Sequence, residues 1–283
     1  MKNDQTRHWR LLVLLLLVSP TSIGAQEGWE VGGWAGFNYY VGDLNTSFTT
    51  DLKAFGLGFG FMGRYNFNDR WSFKSSANFN RIRGQDSYAK DIYERRRNLW
   101  FSSNVVEWTN QMEWNWLPYR HGSLEHSFTP YFFAGFSLFH FSPRAKLEDT
   151  WYELRDYGTE GQGKGEEYYL VSGALLFGGG FKISLNYEWS INLELSGRYA
   201  LTDYLDDVST VYPDMDDLAR LRGDIAVELS DRSWPGLESF GEPGDLRGNS
   251  NINDIFLTAG FGVTYYFGRA VRCPSTVGRR KRR

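Results

Sequence analysis

"TAGFGVTYYFG", Thr258–Gly268, sets Ala259, Phe261, Val263, Tyr265 and Phe267 against Thr258, Gly260, Gly262, Thr264 and Tyr266. Successive side chains of a strand point to opposite faces, so a period of two marks a strand with one apolar face. The segment lies near the end of the 283-residue chain. It closes on an aromatic residue and is followed by "RAVRCPSTVGRRKRR", residues 269–283.

The alternation recurs upstream. Trp29–Val41 puts Trp29, Val31, Ala35, Phe37, Tyr39 and Val41 on one face. Phe55–Tyr65 sets Phe55, Leu57, Phe59 and Phe61 against Gly56, Gly58 and Gly60. Trp71–Arg83, Leu99–Leu117, Ser172–Asn186, Trp189–Leu201 and Asn253–Phe267 repeat the pattern. Phe128–Phe141 is a further strand, too aromatic for its faces to be assigned. That gives eight predicted strands. The connections at 66–69, 118–127 and 187–188 are short or moderate; those at 42–54, 84–98, 142–171 and 202–252 are longer. Such alternation describes an up-and-down sheet with turns at one end and loops at the other.

The faces opposite the apolar ones carry Lys74, Glu107, Glu113, Lys182, Glu194 and Arg198 among Gly and Ser, and Trp and Tyr crowd the strand ends. A soluble sandwich buries its apolar faces against each other. A membrane barrel turns them to lipid, keeps polar side chains inside and carries aromatic girdles. With 17% aromatic residues, 23% charged residues and a mean hydropathy of -0.47, the chain suits the second arrangement. Backbone groups in a bilayer must all be paired, so the sheet should close. The expected fold is therefore all-β: an eight-stranded antiparallel up-and-down outer-membrane barrel with four long outer loops. Eight strands enclose a space that side chains alone fill, so a general diffusion pore is not expected. Several strands exceed the about 9–11 residues needed to cross a membrane, so the sheet should project beyond it on the loop side.

Lys2, Arg7 and Arg10, the apolar run Leu11–Val18 and the small residues before Gln26 resemble a bacterial secretory signal cut after Ala25. The expected organisation is signal 1–25, barrel 26–268 and basic periplasmic tail 269–283. A net charge of -3 gives no argument for a nucleic-acid partner. Cys273 is the one cysteine, so no internal disulfide forms; its thiol is either free or available for an intermolecular bond.

Other motifs point to no chemistry. "GFGFMG" (58–63) has dinucleotide-loop spacing but lies within a strand, where its glycines ease packing of a narrow interior. "GTEGQGKG" (158–165) has Gly165 where a P-loop needs Ser or Thr, and reads as a mobile glycine-rich loop. Asp203, Asp206, Asp207, Asp214, Asp216 and Asp217 read as a solvated acidic loop, with a cation site as the alternative. His121 and His126 fall in a connection. Ser137, His140 and Ser142 are the only arrangement suggesting a membrane hydrolase, and nothing marks an activated serine. No catalytic residue, metal ligand or cofactor site is expected.

Several stretches together resemble a known family: "YYVGDLNTSF" (39–48), "GRYNFNDRWSFKSSANFNRIRGQD" (63–86), "RNLWFSSNVVEW" (97–108), "PYFFAGFSLFHFSPRA" (130–145), "WYELRDYGTEGQG" (151–163), "RYALTDYLDDVSTVYP" (198–213) and "GNSNINDIF" (248–256). They are similar to the PorG-like outer-membrane proteins of Bacteroidetes, associated with the type IX protein secretion (gliding-associated) machinery. The resemblance implies a non-enzymatic barrel in outer-membrane lipid. It also implies association with a periplasmic ring formed by a lipoprotein and its partner subunit. Members often end in a Cys-Pro within a short periplasmic tail, which Cys273–Pro274 matches. The expected partner-binding residues are Cys273, through a possible disulfide, and Arg279, Arg280, Lys281, Arg282 and Arg283. The alternative is a narrow outer-membrane channel or ligand-binding porin-like barrel.

Overall fold

The computed structural model describes residues 27–46, 48–49, 51–233 and 241–268. The expected signal, and the tail with Cys273 and Arg279–Arg283, lie outside the described residues. Among the described residues nine strands form: β1 (Gly28–Val41), β2 (Phe55–Asn66), β3 (Trp71–Gln85), β4 (Trp100–Asn115), β5 (Phe128–Leu147), β6 (Thr150–Glu153), β7 (Val171–Ser184), β8 (Trp189–Ala200) and β9 (Ile255–Tyr266). All pair antiparallel in the order β4-β3-β2-β1-β9-β8-β7-β5-β6, and β4 also pairs with β5. That last pairing closes an eight-stranded barrel. β6 stands outside the ring as a short hairpin partner of the far end of β5, within the connection read as 142–171.

The opening strand is β9, laid between β1 and β8 with Ala259 opposite Phe37 and Leu195. Its odd positions face out and its even positions are largely buried. The same alternation holds around the ring: Trp29, Phe37, Phe61, Trp108, Phe136 and Leu195 are exposed on the outer surface. A soluble monomer rarely exposes a contiguous apolar patch beyond a few hundred Å². A closed barrel with an apolar exterior and a charged interior is a membrane-spanning barrel. Among the described residues no helix is long and apolar enough to cross a membrane, so the strands do the crossing.

At one end the strands are joined tightly. Asn68 and Asn186 serve the β2–β3 and β7–β8 turns in the same way. Each side-chain carbonyl accepts from two backbone N–H groups, those of Arg70 and Trp71 in one case and of Glu188 and Trp189 in the other. An Asn side chain mimics the backbone in such turns, which is why it occurs there. An aromatic girdle rings this end, with Trp29 on Tyr65, Trp114 on Trp116 and Trp189 on Tyr265 at 5.0, 5.8 and 5.1 Å. Both ends of the described barrel, Gly28 and Gly268, lie here. Phe267 closes β9 by packing on Tyr265 at 4.8 Å.

The other end is a folded cap. The long connections carry helices α1 (Ile92–Arg97), α2 (Leu154–Tyr157), α3 (Met215–Arg222) and α4 (Asp224–Ser230). Tyr40, Leu44, Ile82, Leu99, Phe101, Phe141, Leu154, Leu205, Leu229 and Phe256 are buried together there. The barrel thus has an apolar exterior, a polar interior and an apolar core at one end. Tyr39, read from its parity as outward, is buried because the β1–β2 connection folds over it, placing Phe48 at 5.2 Å.

Candidate functional site

Every charged residue expected on a polar face points into the barrel. Glu113, on β4, is the hub: its carboxylate lies 2.8 Å from Arg64 Nε, 2.7 Å from Lys182 Nζ and 3.7 Å from Lys74 Nζ. Arg64 also donates to Glu30 at 2.8 Å, and Asn66 donates to the other Glu30 oxygen at 2.6 Å. Lys74 and the Tyr131 hydroxyl both donate to Glu194, at 2.5 and 2.8 Å. Nearer the cap, Arg198 donates to Glu107 at 2.8 Å and to Thr258 at 2.9 Å.

Among the described interior side chains, Arg64, Lys74, Lys182 and Arg198 face Glu30, Glu107, Glu113 and Glu194. Burying a charge is costly unless it is paired, so neutrality here is a condition of folding. One interior cavity, of about 20 Å³ between Trp34, Met62 and Gln111, has room for a single water.

Glu30 and Arg64 are missing from the charged residues singled out by sequence. Their signal was the same as for the others: a polar residue between outward apolar neighbours. β5 resisted assignment because its inward positions are also aromatic. Even residues such as Phe132, Phe136 and Leu138 face out, while Tyr131, Phe133 and Phe139 face in. The inward rings serve the ion network, with Lys182 over Tyr131 at 4.6 Å and Lys74 over Phe133 at 5.6 Å.

The turn end is closed as well. The β4–β5 connection folds under the barrel and inserts the His121 ring, stacked on Tyr266 at 4.4 Å and hydrogen-bonded to Glu30 at 3.0 Å. Tyr119 packs edge-on against His121, and Tyr187 against Tyr266.

Two other sequence expectations change. Asp203, Asp206 and Asp207 are buried in the cap, so that loop is not solvated there. Asp207 accepts from Tyr168 at 2.7 Å and from Thr159 at 2.5 Å, with Arg247 at 3.6 Å; burial still pushes its carboxyl up to about 6. The Tyr40 hydroxyl lies 2.6 Å from Asp206 and 2.5 Å from Asp254. One hydroxyl proton cannot serve two carboxylates, so one carboxyl must keep its own. Burial raises both well above the usual range, and repulsion from Asp254 adds to this at Asp206. Only the 214–217 part fits the solvated reading: Asp214 caps α3, and Asp216 and Asp217 are exposed.

The start of segment 158–165 is packed rather than a free glycine loop, while Lys164 and Gly165 are exposed. Thr159 is buried, and Glu160 accepts from the backbone of Ser209 and Thr210 and from Arg247 at 3.1 Å. Gly58 and Gly60 behave as expected, since a Cβ there would lie within 2.5 Å of Asn80 or Asn78, whereas a Cβ on Gly63 would meet open space.

The Ser–His arrangement does not form. Ser137 is buried inside the barrel and His140 is exposed outside it, while Ser142 accepts from Arg144 at 3.2 Å. No group of three His, Cys, Asp or Glu among the described residues is placed to hold a metal ion.

A family model covers most of this architecture, matching residues 8–234. The chain belongs to the DUF6089 family, described as a domain of unknown function. No curated protein sequence matches it. Among solved structures, this DUF6089 chain is similar to Neisserial surface protein A (NspA), with 12% identity and a TM-score of 0.42, covering 86% of this chain and 99% of that one. It is also similar to the outer membrane protein OprG from Pseudomonas aeruginosa, again with 12% identity and a TM-score of 0.42, covering 87% and 99%. The N-terminal β-barrel domain of Pseudomonas aeruginosa OprF gives 11% identity and a TM-score of 0.38, covering 86% and 100%. These likenesses are too distant to carry function, and the barrel assignment rests on the strand register itself.

Proposed function

We propose that this protein is a non-enzymatic outer-membrane barrel that anchors or positions a periplasmic ring of the type IX protein secretion (gliding-associated) machinery. The observation that carries this reading is the closed lumen. The interior is filled by paired charges, the cap covers one end and the His121 connection covers the other. A barrel with no path through it works through its surfaces. The tail follows β9 at the turn end, where both termini of the barrel emerge. With the turn end toward the periplasm, Arg279–Arg283 reach an acidic partner surface and Cys273 meets a partner thiol in an oxidising compartment. The PorG-like resemblance supplies the partner class, a ring lipoprotein and its partner subunit.

The test is a non-reducing gel of native outer membranes from wild type and Cys273→Ala. A higher-mass species that contains a periplasmic lipoprotein, collapses on reduction and is absent from the variant is expected. Monomer in both strains removes the disulfide and leaves noncovalent docking to be demonstrated.

A further inference from the structure

Strand β3 leaves the apolar belt on its outward face through Phe79, Arg81 and Arg83. The register sets these residues in rows across three strands. Phe79, Val106 and His140 form one row, Arg81, Asn104 and Ser142 the next, and Arg83, Ser102 and Arg144 the one above. Two residues along a strand span about 6.8 Å, so the surface turns from hydrocarbon-facing to cationic within one row.

Lys53, in the 3-10 turn Leu52–Ala54, joins Arg81 and Arg83 around a groove of about 650 Å³. Trp100 and Trp151 wall it, edge to face at 5.6 Å. Arg144 is neutralised by Glu153 at 2.7 Å, and Asp51 accepts from the Lys53 backbone N–H at 2.9 Å. Among the described residues no carboxylate pairs with the side chain of Lys53, Arg81 or Arg83; Arg81 donates to neutral Asn104 at 3.0 Å. A second groove, about 810 Å³, shares Arg81 and Arg83 and runs onto the lipid-facing rings of Phe55, Phe59 and Phe79.

An uncompensated guanidinium pair at the edge of a hydrocarbon belt calls for an anion held at that depth. Arginine matches a phosphate with a planar fork of donors, and tryptophan settles at headgroup level. The apolar groove beside it suits an acyl chain. We propose that this surface binds one phosphorylated lipid of the outer leaflet, its headgroup phosphate on Lys53, Arg81 and Arg83 and an acyl chain along Phe79 and Phe59. The proposal rests on the outer-membrane reading with the cap facing outward, and it adds a lipid site to a barrel whose other proposed partner lies at the turn end.

The test uses the full chain in phosphatidylcholine nanodiscs doped with diphosphoryl lipid A or with the same lipid after phosphate removal. Native mass spectrometry then counts the lipid retained on the barrel. Wild type is expected to retain one diphosphoryl lipid A, and R81Q/R83Q to lose retention by about tenfold or more. R95Q/R96Q, which changes exposed arginines of α1, should retain it as wild type does. Equal retention of the dephosphorylated lipid, or full retention by R81Q/R83Q, overturns the site. Loss of the lipid to excess inorganic phosphate marks a simple anion site and overturns the lipid assignment. A wild-type chain that inserts into the nanodisc but retains no lipid A overturns the site and leaves the membrane reading standing. A chain that does not insert overturns both.

Discussion

Removing the Glu113 charge should unlock the barrel interior. Glu113 is fully buried and faces three cations, so solvent screening does not discount its pairing. At 2.7 Å from Lys182, a unit charge pair has a gross attraction of about 6 kcal/mol at an effective dielectric of 20. Part of this is returned by relaxation: Lys182 keeps Ser72 and Asn115 as neutral partners at 3.2 and 3.0 Å, and Arg64 keeps Glu30. The range for breaking one partner of a buried pair, about 3–5 kcal/mol, therefore applies to Glu113→Gln. Lys182→Met should cost about 3 kcal/mol on the same ground. The double variant restores neutrality, so its cost should fall short of the sum by at least about 2 kcal/mol. Urea unfolding of barrels refolded into lipid vesicles, followed by tryptophan fluorescence and heat-modifiable gel mobility, measures all three. Single costs below about 1 kcal/mol, or additivity within about 0.5 kcal/mol, would refute an interior held together by its charge balance.

Other expectations follow from the same geometry. A Cβ on Gly135 would meet the Asn110 carbonyl oxygen at 2.0 Å, whereas Gly63 has nothing within 4 Å. Gly135→Ala should thus cost about 1–3 kcal/mol and Gly63→Ala almost nothing, by the same unfolding assay. In the cap, the carboxyls of Asp206, Asp207 and Asp254 have folded pKa values above their unfolded ones. Their contribution is present below about pH 4 and is lost as pH rises through the folded values, for Asp207 about 6. Protease resistance of the cap should therefore weaken from pH 4 to 8. Asp206→Asn, a neutral match for the protonated acid, should reduce that dependence; an unchanged pH profile would reject the shared-proton arrangement. In planar bilayers the purified protein should give no resolved conductance steps, and regular single-channel currents would count against the closed lumen.

The barrel was legible because each span obeys one rule over many residues. All eight expected strands occur, and the period of two that marks Thr258–Gly268 also sorts inside from outside. The rule failed in β5, where Tyr131 and Phe133 face in because a narrow interior needs bulk beside its lysines. It was applied too narrowly at Glu30 and Arg64, which hold inward parity in strands already identified. The cap was not legible. Its contacts join residues far apart in sequence, such as Arg247 with Glu160 and Tyr40 with Asp206 and Asp254, and no local period announces such pairings. Asp203, Asp206 and Asp207 looked solvated because a run of acids in a loop usually is; only the surrounding fold supplies the hydrogen-bond donors that let Asp206 and Asp207 be buried.

The central claim is that a closed barrel holds a periplasmic ring through its turn end and tail. The most direct measurement is affinity purification, after mild cross-linking of intact cells, of the full chain and of a chain ending at Gly268, with the ring lipoprotein quantified by mass spectrometry. The account predicts that the full chain retains the lipoprotein and that the shortened chain, still inserted and heat-modifiable, loses most of it. Equal recovery with both chains would move the contact to the turns, and absence of the lipoprotein from both would contradict the account.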